Sequence, residues 1–302
     1  MIVTTKKILQ KAQKGKYAVG AFNIYNIETL KSAIKAAENL NSPIIIQTSE
    51  SAIEYAGLNI LVSMMRIAAQ AAKVPVAVHL DHGRNIALIK KCINSGYTSV
   101  MIDASHFPFE KNISLTTDIV KHAHPKKISV EAELGIIGGK EDDLEGTAWC
   151  TEPKQAVEFV RRTKIDSLAV AIGTSHGAFK NKGDKLRLDI LKKIRSLVSI
   201  PLVLHGASLV QNKDLKKAIS IRMTIGKAQG IPKNQIIKAI KLGICKINVD
   251  TDLRIAFSIA LREYAQKHPE SINPRDSLSY AEQATQKSVE EHLILFGSAG
   301  KA

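Results

Sequence analysis

The residue types best suited to chemistry begin at Val76-Ala77-Val78-His79-Leu80-Asp81-His82-Gly83. This is an apolar strand that ends in ionisable groups. Strand side chains alternate between faces, so His79 and Asp81 share one face and Leu80 takes the other. His82 falls where the strand gives way to a loop, and Gly83 lets the backbone turn there. A carboxylate beside a histidine at a strand end suits a metal ligand with an acid/base partner. It equally suits a hydrogen-bonded pair that caps the next helix. Two further histidines stand in similar settings, in Gly173-Thr174-Ser175-His176-Gly177 and Leu204-His205-Gly206-Ala207-Ser208. Three imidazoles and an open position describe a catalytic zinc site, with His82, His176 and His205 as its ligands. His79 is expected to face inward and hydrogen-bond near the site. His106, His122, His124, His268 and His292 fall in loops or helices and read as solvated.

These residues need a scaffold, and strand and helix alternate from end to end. Strands are expected over residues 18–24, 43–47, 74–79, 99–102, 128–132, 167–172, 201–204 and 244–249. Helices are expected over 28–40, 58–73, 85–95, 110–124, 153–164, 189–197, 212–219, 233–241, 252–267 and 279–293. Eight short apolar strands, each followed by a helix, predict an α/β fold of the closed (β/α)8 TIM-barrel type. We expect a single domain, 1–302, with a C-terminal helical extension. No Gly-x-Gly-x-x-Gly follows the first strand, which counts against an open doubly wound sheet. The stretch 221–230 reads as an insertion, and 135–147 and 177–188 as long, Gly-rich and charged loops of the functional kind. In such a barrel, chemistry collects at the C-terminal strand ends. Those ends carry Gln47 and Ser49, Asp81 and His82, Asp103, Glu131 and Glu133, His176, His205 to Ser208, and Asn248 to Thr251. The glycines beside His176 and His205, the Ser208 hydroxyl and the turn at 248–251 into a helix N-terminus make a phosphate cradle.

The chain has 302 residues, 45% hydrophobic and 24% charged, in the range of a globular protein with a large core. The net charge is +15. The lysines and arginines are scattered along helices, and aromatics are only 5%, so the footprint of a nucleic-acid binder is missing. Solvated helix faces and an anionic substrate account for the charge. Thr4, Thr5, Lys6 and Lys7 precede any apolar run, so no secretory leader is expected. No apolar run is long enough to span a bilayer. Cys92, Cys150 and Cys245 are isolated, which fits a reducing, cytoplasmic setting without disulfides.

The sequence resembles the class II, zinc-dependent fructose-bisphosphate aldolase family. The matching motifs are His79-Leu80-Asp81-His82-Gly83, Glu131-Ala132-Glu133-Leu134-Gly135, Gly173-Thr174-Ser175-His176-Gly177, Leu204-His205-Gly206-Ala207-Ser208, Lys246-Ile247-Asn248-Val249-Asp250-Thr251 and Leu295-Phe296-Gly297-Ser298-Ala299-Gly300. They run in the family's order across almost the whole chain. Tagatose-bisphosphate aldolases share most of them and are the alternative reading. The resemblance implies reversible aldol cleavage of fructose 1,6-bisphosphate to dihydroxyacetone phosphate and glyceraldehyde 3-phosphate. It implies one catalytic Zn2+ on His82, His176 and His205. It also implies a second divalent metal on Asp103 and Glu133, and a monovalent cation. Asp81 would exchange the proton of the C4 hydroxyl, and Glu141 the proton at the enediolate carbon. Gly177, Lys180, Gly206, Ala207, Ser208, Asn248, Val249, Asp250 and Thr251 would hold dihydroxyacetone phosphate. Asn26 and Ser49 would lie near the substrate. Arg254, and Arg275 from a neighbouring subunit of a homodimer or homotetramer, would take the other phosphate. Departures occur at Lys140, at Asn273 and at Leu209, where relatives carry glutamate, aspartate and a small residue.

Two rivals make different demands. A Schiff-base aldolase needs a lysine at a strand end. Lys246 has the right face, but a buried lysine paired with Glu131 is the preferred reading. A basic binding protein without catalysis needs none of the three histidines.

Overall fold

The computed structural model describes residues 1–141, 144–146, 149–176, 185–225 and 229–302. The side chains at 139–141, 144–146 and 176 lie outside that description. The strands are β1 (Ile2–Val3), β2 (Val19–Asn23), β3 (Ile44–Thr48), β4 (Val76–Gly83), β5 (Ser99–Ile102), β6 (Ser129–Leu134), β7 (Gly138–Glu141), β8 (Leu144–Gly146), β9 (Ser167–Val170), β10 (Ser175–His176), β11 (Leu202–Leu204) and β12 (Ile244–Val249). The helices are α1 (Thr5–Gly15), α2 (Ile27–Asn39), α3 (Glu50–Ala56), α4 (Leu58–Ala71), α5 (Ile86–Ser95), α6 (Phe109–Ala123), α7 (Pro153–Thr163), α8 (Leu188–Leu197), α9 (Asn212–Ser220), α10 (Lys233–Lys241), α11 (Thr251–Lys267) and α12 (Pro274–Phe296).

Strands β4, β3, β2, β12, β11, β9, β6 and β5 pair in that order, all parallel, and β5 pairs again with β4. This is the expected (β/α)8 barrel, with β5 and β12 at their expected bounds and the other strand ends shifted by at most four residues. Both faces of its strands are buried, which is why they read as continuous apolar runs. Phe22, Ile46, Val78, Leu80, Val100 and Val130 pack outward against the helices. Val19, Ala21, Ile45, Ala77 and Cys245 fill the bottom of the barrel, and Met101, Ala169 and Val203 form a layer above.

Helix α1 was not expected. Its Ile8, Leu9 and Ala12 plug the bottom of the barrel, and Thr4 caps its N-terminus by accepting from the Lys7 N–H. Helix α12 is longer than predicted and lies along α2 and α11. No single helix among the described residues is long and apolar enough to cross a membrane. The pair α3 and α4, bent by 102° at Gly57, packs on the barrel through Ile53, Leu61, Val62 and Met65.

Candidate active site

Two register breaks aim polar groups into the barrel. In β4 the pairing with β5 slips between Leu80 and Gly83, and His82 has φ +43°. Simple alternation sends His82 outward, but this left-handed bulge turns it inward beside Asp81. Gly83 follows from tight packing, since a Cβ there would lie 2.6 Å from the Met101 carbonyl oxygen. In β12 the register with β11 shifts beside Cys245, which brings Lys246 inward as well.

His82 and His205 meet edge to face at the mouth, ring centroids 4.5 Å apart. His82 Nδ1 bonds to Asp103 Oδ2 at 3.0 Å, and His205 Nε2 bonds to Glu131 Oε1 at 2.8 Å. Each carboxylate fixes its imidazole as the tautomer that donates toward it. The remaining nitrogens, His82 Nε2 and His205 Nδ1, face each other at 2.6 Å, within hydrogen-bond distance. Burial, with the nearby His82 and Lys246, drives the His205 pKa well below its ordinary value, so the ring is neutral. Asp81 completes a cluster with both rings, their ligand atoms within 4.8 Å of one another. A neutral His205 ring, two ring nitrogens that face each other and carboxylates behind both rings make a donor set that fits a divalent zinc.

Asp81 is 2% exposed, and three amides hold it. Asn248 Nδ2 donates to Oδ1 at 2.7 Å, while Gln47 Nε2 and Asn23 Nδ2 donate to Oδ2 at 2.9 and 3.3 Å. Asn23, at the end of β2, was missed in the sequence. Its position at a strand end, one alternation from Ala21, is the signal that marks it. Beneath the rings Lys246 Nζ reaches both Glu131 oxygens at 2.9 and 3.0 Å and His79 Nε2 at 3.3 Å. His79 Nδ1 bonds Ser99 Oγ at 2.8 Å, as expected of an inward histidine. All of these side chains are fully buried, so Lys246 is not a nucleophile presented at the mouth.

A second set, His82, Asp103 and Glu133, also converges within 4.8 Å. The Asp103 carboxyl is pushed up by burial, but His82, Arg84 and Ser105 outweigh this and hold it well below its usual range. The backbone of His176 pairs with Gly139, which sets the strand of Glu141 beside it. The His176 and Glu141 side chains, and Gly177 and Lys180 altogether, lie outside the described residues.

The other side of the mouth is main chain. Gly206 has φ +61°, and a Cβ there would lie 2.7 Å from the Ser175 carbonyl oxygen. Ala207 and Ser208 follow, both buried, opposite Asn248 to Thr251 at the start of α11. The Asp252 carboxylate ties the two pieces together, accepting from the Leu209 and Val210 N–H groups at 2.8 Å each. His292 from α12 donates to Asp252 at 3.1 Å. The expectation that His292 is solvated is therefore corrected: it is 1% exposed, packed by Phe22 and Phe296.

Asn26, Ser49 and Arg254 line one cavity of about 450 Å³, with Tyr25, Tyr55 and Phe257. Asn26 and Ser49 cap α2 and α3 through their side chains. Arg254 pairs with Asp250, its Nη2 2.8 Å from Oδ2. Tyr25 was also missed; burial and Asp250 push its pKa up despite Arg254. Arg275 is exposed at the start of α12, bonded to Asn273, and does not line this cavity.

A family model described as fructose-bisphosphate aldolase class-II matches residues 3–301. The chain is 46% identical to a fructose-bisphosphate aldolase of Thermus caldophilus over 309 residues, covering all of both proteins. It is 43% identical to one of Giardia intestinalis over 306 residues, covering the whole chain and 94% of that relative. Among solved structures, the YdjI aldolase from Escherichia coli K12 superposes with a TM-score of 0.84 at 36% identity, covering both chains fully. With the paired imidazoles, the barrel and these relatives in agreement, the chain belongs to the class II fructose-bisphosphate aldolase family.

Proposed function

We propose that this chain, as one catalytic domain, cleaves fructose 1,6-bisphosphate reversibly to dihydroxyacetone phosphate and glyceraldehyde 3-phosphate. The observation that carries the reading is the pair of facing imidazole nitrogens, 2.6 Å apart, with Asp81 in the same cluster. His82, His176 and His205 hold a catalytic zinc in this reading, and Asp81 is the acid/base. Zinc, when bound, supplies Lewis-acid stabilisation of the enediolate charge that carbon–carbon cleavage leaves.

The chain's own residues do the rest. Asp81 takes the proton of the C4 hydroxyl, held in place by three amides. Gln47 Oε1 and Asn248 Oδ1 are buried acceptors with no hydrogen-bond partner among the described residues, and sugar hydroxyls can satisfy them. Glu141, on the strand beside His176, moves the proton at the enediolate carbon. Gly177, Lys180, Gly206, Ala207, Ser208, Asn248, Val249, Asp250 and Thr251 hold the dihydroxyacetone phosphate end through N–H groups, hydroxyls and the α11 N-terminus. Arg254, with Asn26 and Ser49, takes the other phosphate, joined by Arg275 of a second subunit in a homodimer or homotetramer. A cytoplasmic location accords with free cysteines and a phosphorylated substrate.

The test is a coupled assay on fructose 1,6-bisphosphate with and without a chelator, with tagatose 1,6-bisphosphate as competitor substrate. Cleavage abolished by the chelator and restored by zinc is the expected result. Full activity in the chelator would refute the zinc reading, and preference for the tagatose ester would refute the substrate.

A further inference from the structure

Beside the candidate zinc position lies a second set of ligand-capable groups, His82, Asp103 and Glu133. Taken alone, two buried carboxylates and an imidazole make a site that attracts a divalent cation. Here the cluster already contains a cation of the chain's own. Arg84 follows the β4 bulge directly, and its Nε and Nη2 both lie 3.3 Å from Asp103 Oδ2. Its side chain is only 24% exposed. Its main chain is pinned too, because Glu50 Oε1 accepts from the Arg84 and Asn85 N–H groups at 2.8 and 2.7 Å.

Asp103 has little left to give a metal. Oδ2 accepts from His82 Nδ1 at 3.0 Å as well as from Arg84, and Oδ1 accepts from Ser105 Oγ at 2.8 Å and Ser105 N at 3.3 Å. A divalent ion on Oδ2 must displace the guanidinium or sit against a like charge. It must also break the His82 contact that keeps the other nitrogen of that ring turned toward the first metal.

We propose that Arg84 is the built-in cation of this second position. Its guanidinium neutralises Asp103 and holds it as the hydrogen-bond acceptor for His82, so the chain takes one divalent metal where the cluster would otherwise take two. Arg84 is thus a positioning residue and the reason for a one-metal stoichiometry. The inference rests on the zinc site proposed above, and the experiment separates the two.

The measurement is Mn2+ titration of the zinc-loaded enzyme, with free Mn2+ followed by its paramagnetic resonance signal and bound zinc by elemental analysis. Wild type is expected to hold one zinc and take up no Mn2+ at Asp103. Arg84→Gln should bind one Mn2+ per chain at least tenfold more tightly than wild type, and adding Asp103→Asn should abolish that uptake. Arg84→Lys, which keeps the charge, should behave like wild type. Mn2+ uptake by wild type that Asp103→Asn removes would overturn the proposal, and this arm needs no Arg84 variant to fold. So would a folded Arg84→Gln that takes up none. A missing first zinc would instead count against the zinc site, since Mn2+ uptake at Asp103 is read separately.

Discussion

On the β4, β5 and β6 side of the mouth, chemistry is carried by side chains rooted in strands. On the β11 and β12 side only His205 and Asn248 join that set, and the rest of the mouth is main chain. The first side places Asp81, His82, Asp103, Glu131 and Glu133 in the barrel, the first four hydrogen-bonded through their side chains to another strand or its loop. The second side presents the loop from Gly206 to Val210 and the start of α11. It is fixed from behind by Asp252 and His292, neither of which faces the mouth. A strand places a charged group accurately because both of its edges are hydrogen-bonded. A loop must be fixed by something else, here a buried ion pair reaching in from the C-terminal helix. The two sides should therefore fail differently: the first by losing metal or chemistry, the second by losing shape.

The largest effect is expected at the paired imidazoles. His82→Ala and His205→Ala should each lose the bound zinc and all cleavage, read by elemental analysis and the coupled assay. A variant that keeps its zinc would remove that histidine from the ligand set. Asp81→Asn should keep the zinc and lower kcat by roughly two to four orders of magnitude, as for removal of an acid/base group. Loss of zinc in this variant would make Asp81 a ligand and blur the division between binding and chemistry on the strand side.

Below the imidazoles the comparison can be sharpened through stability. Lys246→Met leaves the Glu131 carboxyl buried without its cation, which should cost about 3–5 kcal/mol. Adding Glu131→Gln should recover most of it, since removing both charges of a buried pair is often nearly neutral. Urea unfolding of the two variants measures the difference. If the double variant is no more stable than the single one, the pair is not what stabilises the barrel axis.

What could be read from the sequence divides along the same line. The strands were legible because burial on both faces makes them apolar throughout, and the strand-end carboxylates and histidines because few structural roles call for such a run. The inward turn of His82 was not, since it depends on a left-handed residue in a bulge that violates alternation. Arg84 drew no attention because a lone arginine after a glycine ordinarily means solvent. The role of His292 was missed, although Val289, His292, Leu293 and Phe296 recur at the spacing of one buried helical face. A histidine on that stripe is enclosed by apolar side chains and needs polar partners within reach. Helix α1 was missed because lysines surround Ile8, Leu9 and Ala12, yet these too fall on one face.

The smallest expected effect is the pH dependence of the ion pair behind the phosphate side. His292 Nε2 donates to Asp252 at 3.1 Å, and Nδ1 donates to the Ser288 carbonyl oxygen at 2.7 Å. Two acceptors require both nitrogens to carry protons, so the ring is an imidazolium. Burial opposes that charge, but Asp252, the Ser288 carbonyl and Glu291 together raise the pKa above its ordinary value. Burial likewise pushes the Asp252 carboxyl up, while His292 and the Leu209 and Val210 N–H groups bring it net below the usual range. A histidine with a raised native pKa contributes stability that is complete below its unfolded value, about 6.5, and is lost as pH rises through the native value. The depressed carboxyl contributes stability that is complete above about pH 4 and is lost as pH falls toward its native value. The pair is thus strongest between about pH 4 and 6.5 and weakens above that window, by up to about 1.4 kcal/mol per pH unit. Urea unfolding of wild type and His292→Gln at pH 6, 7.5 and 9 should show the wild type losing its advantage as pH rises. His292→Gln should also raise KM for the bisphosphate more than it lowers kcat, because the loop bearing Ser208 loses its anchor while Asp81 keeps its three amides. Stability curves that stay parallel across this range would mean the ring is neutral. An unchanged KM would mean the loop after β11 holds its shape without help from α12.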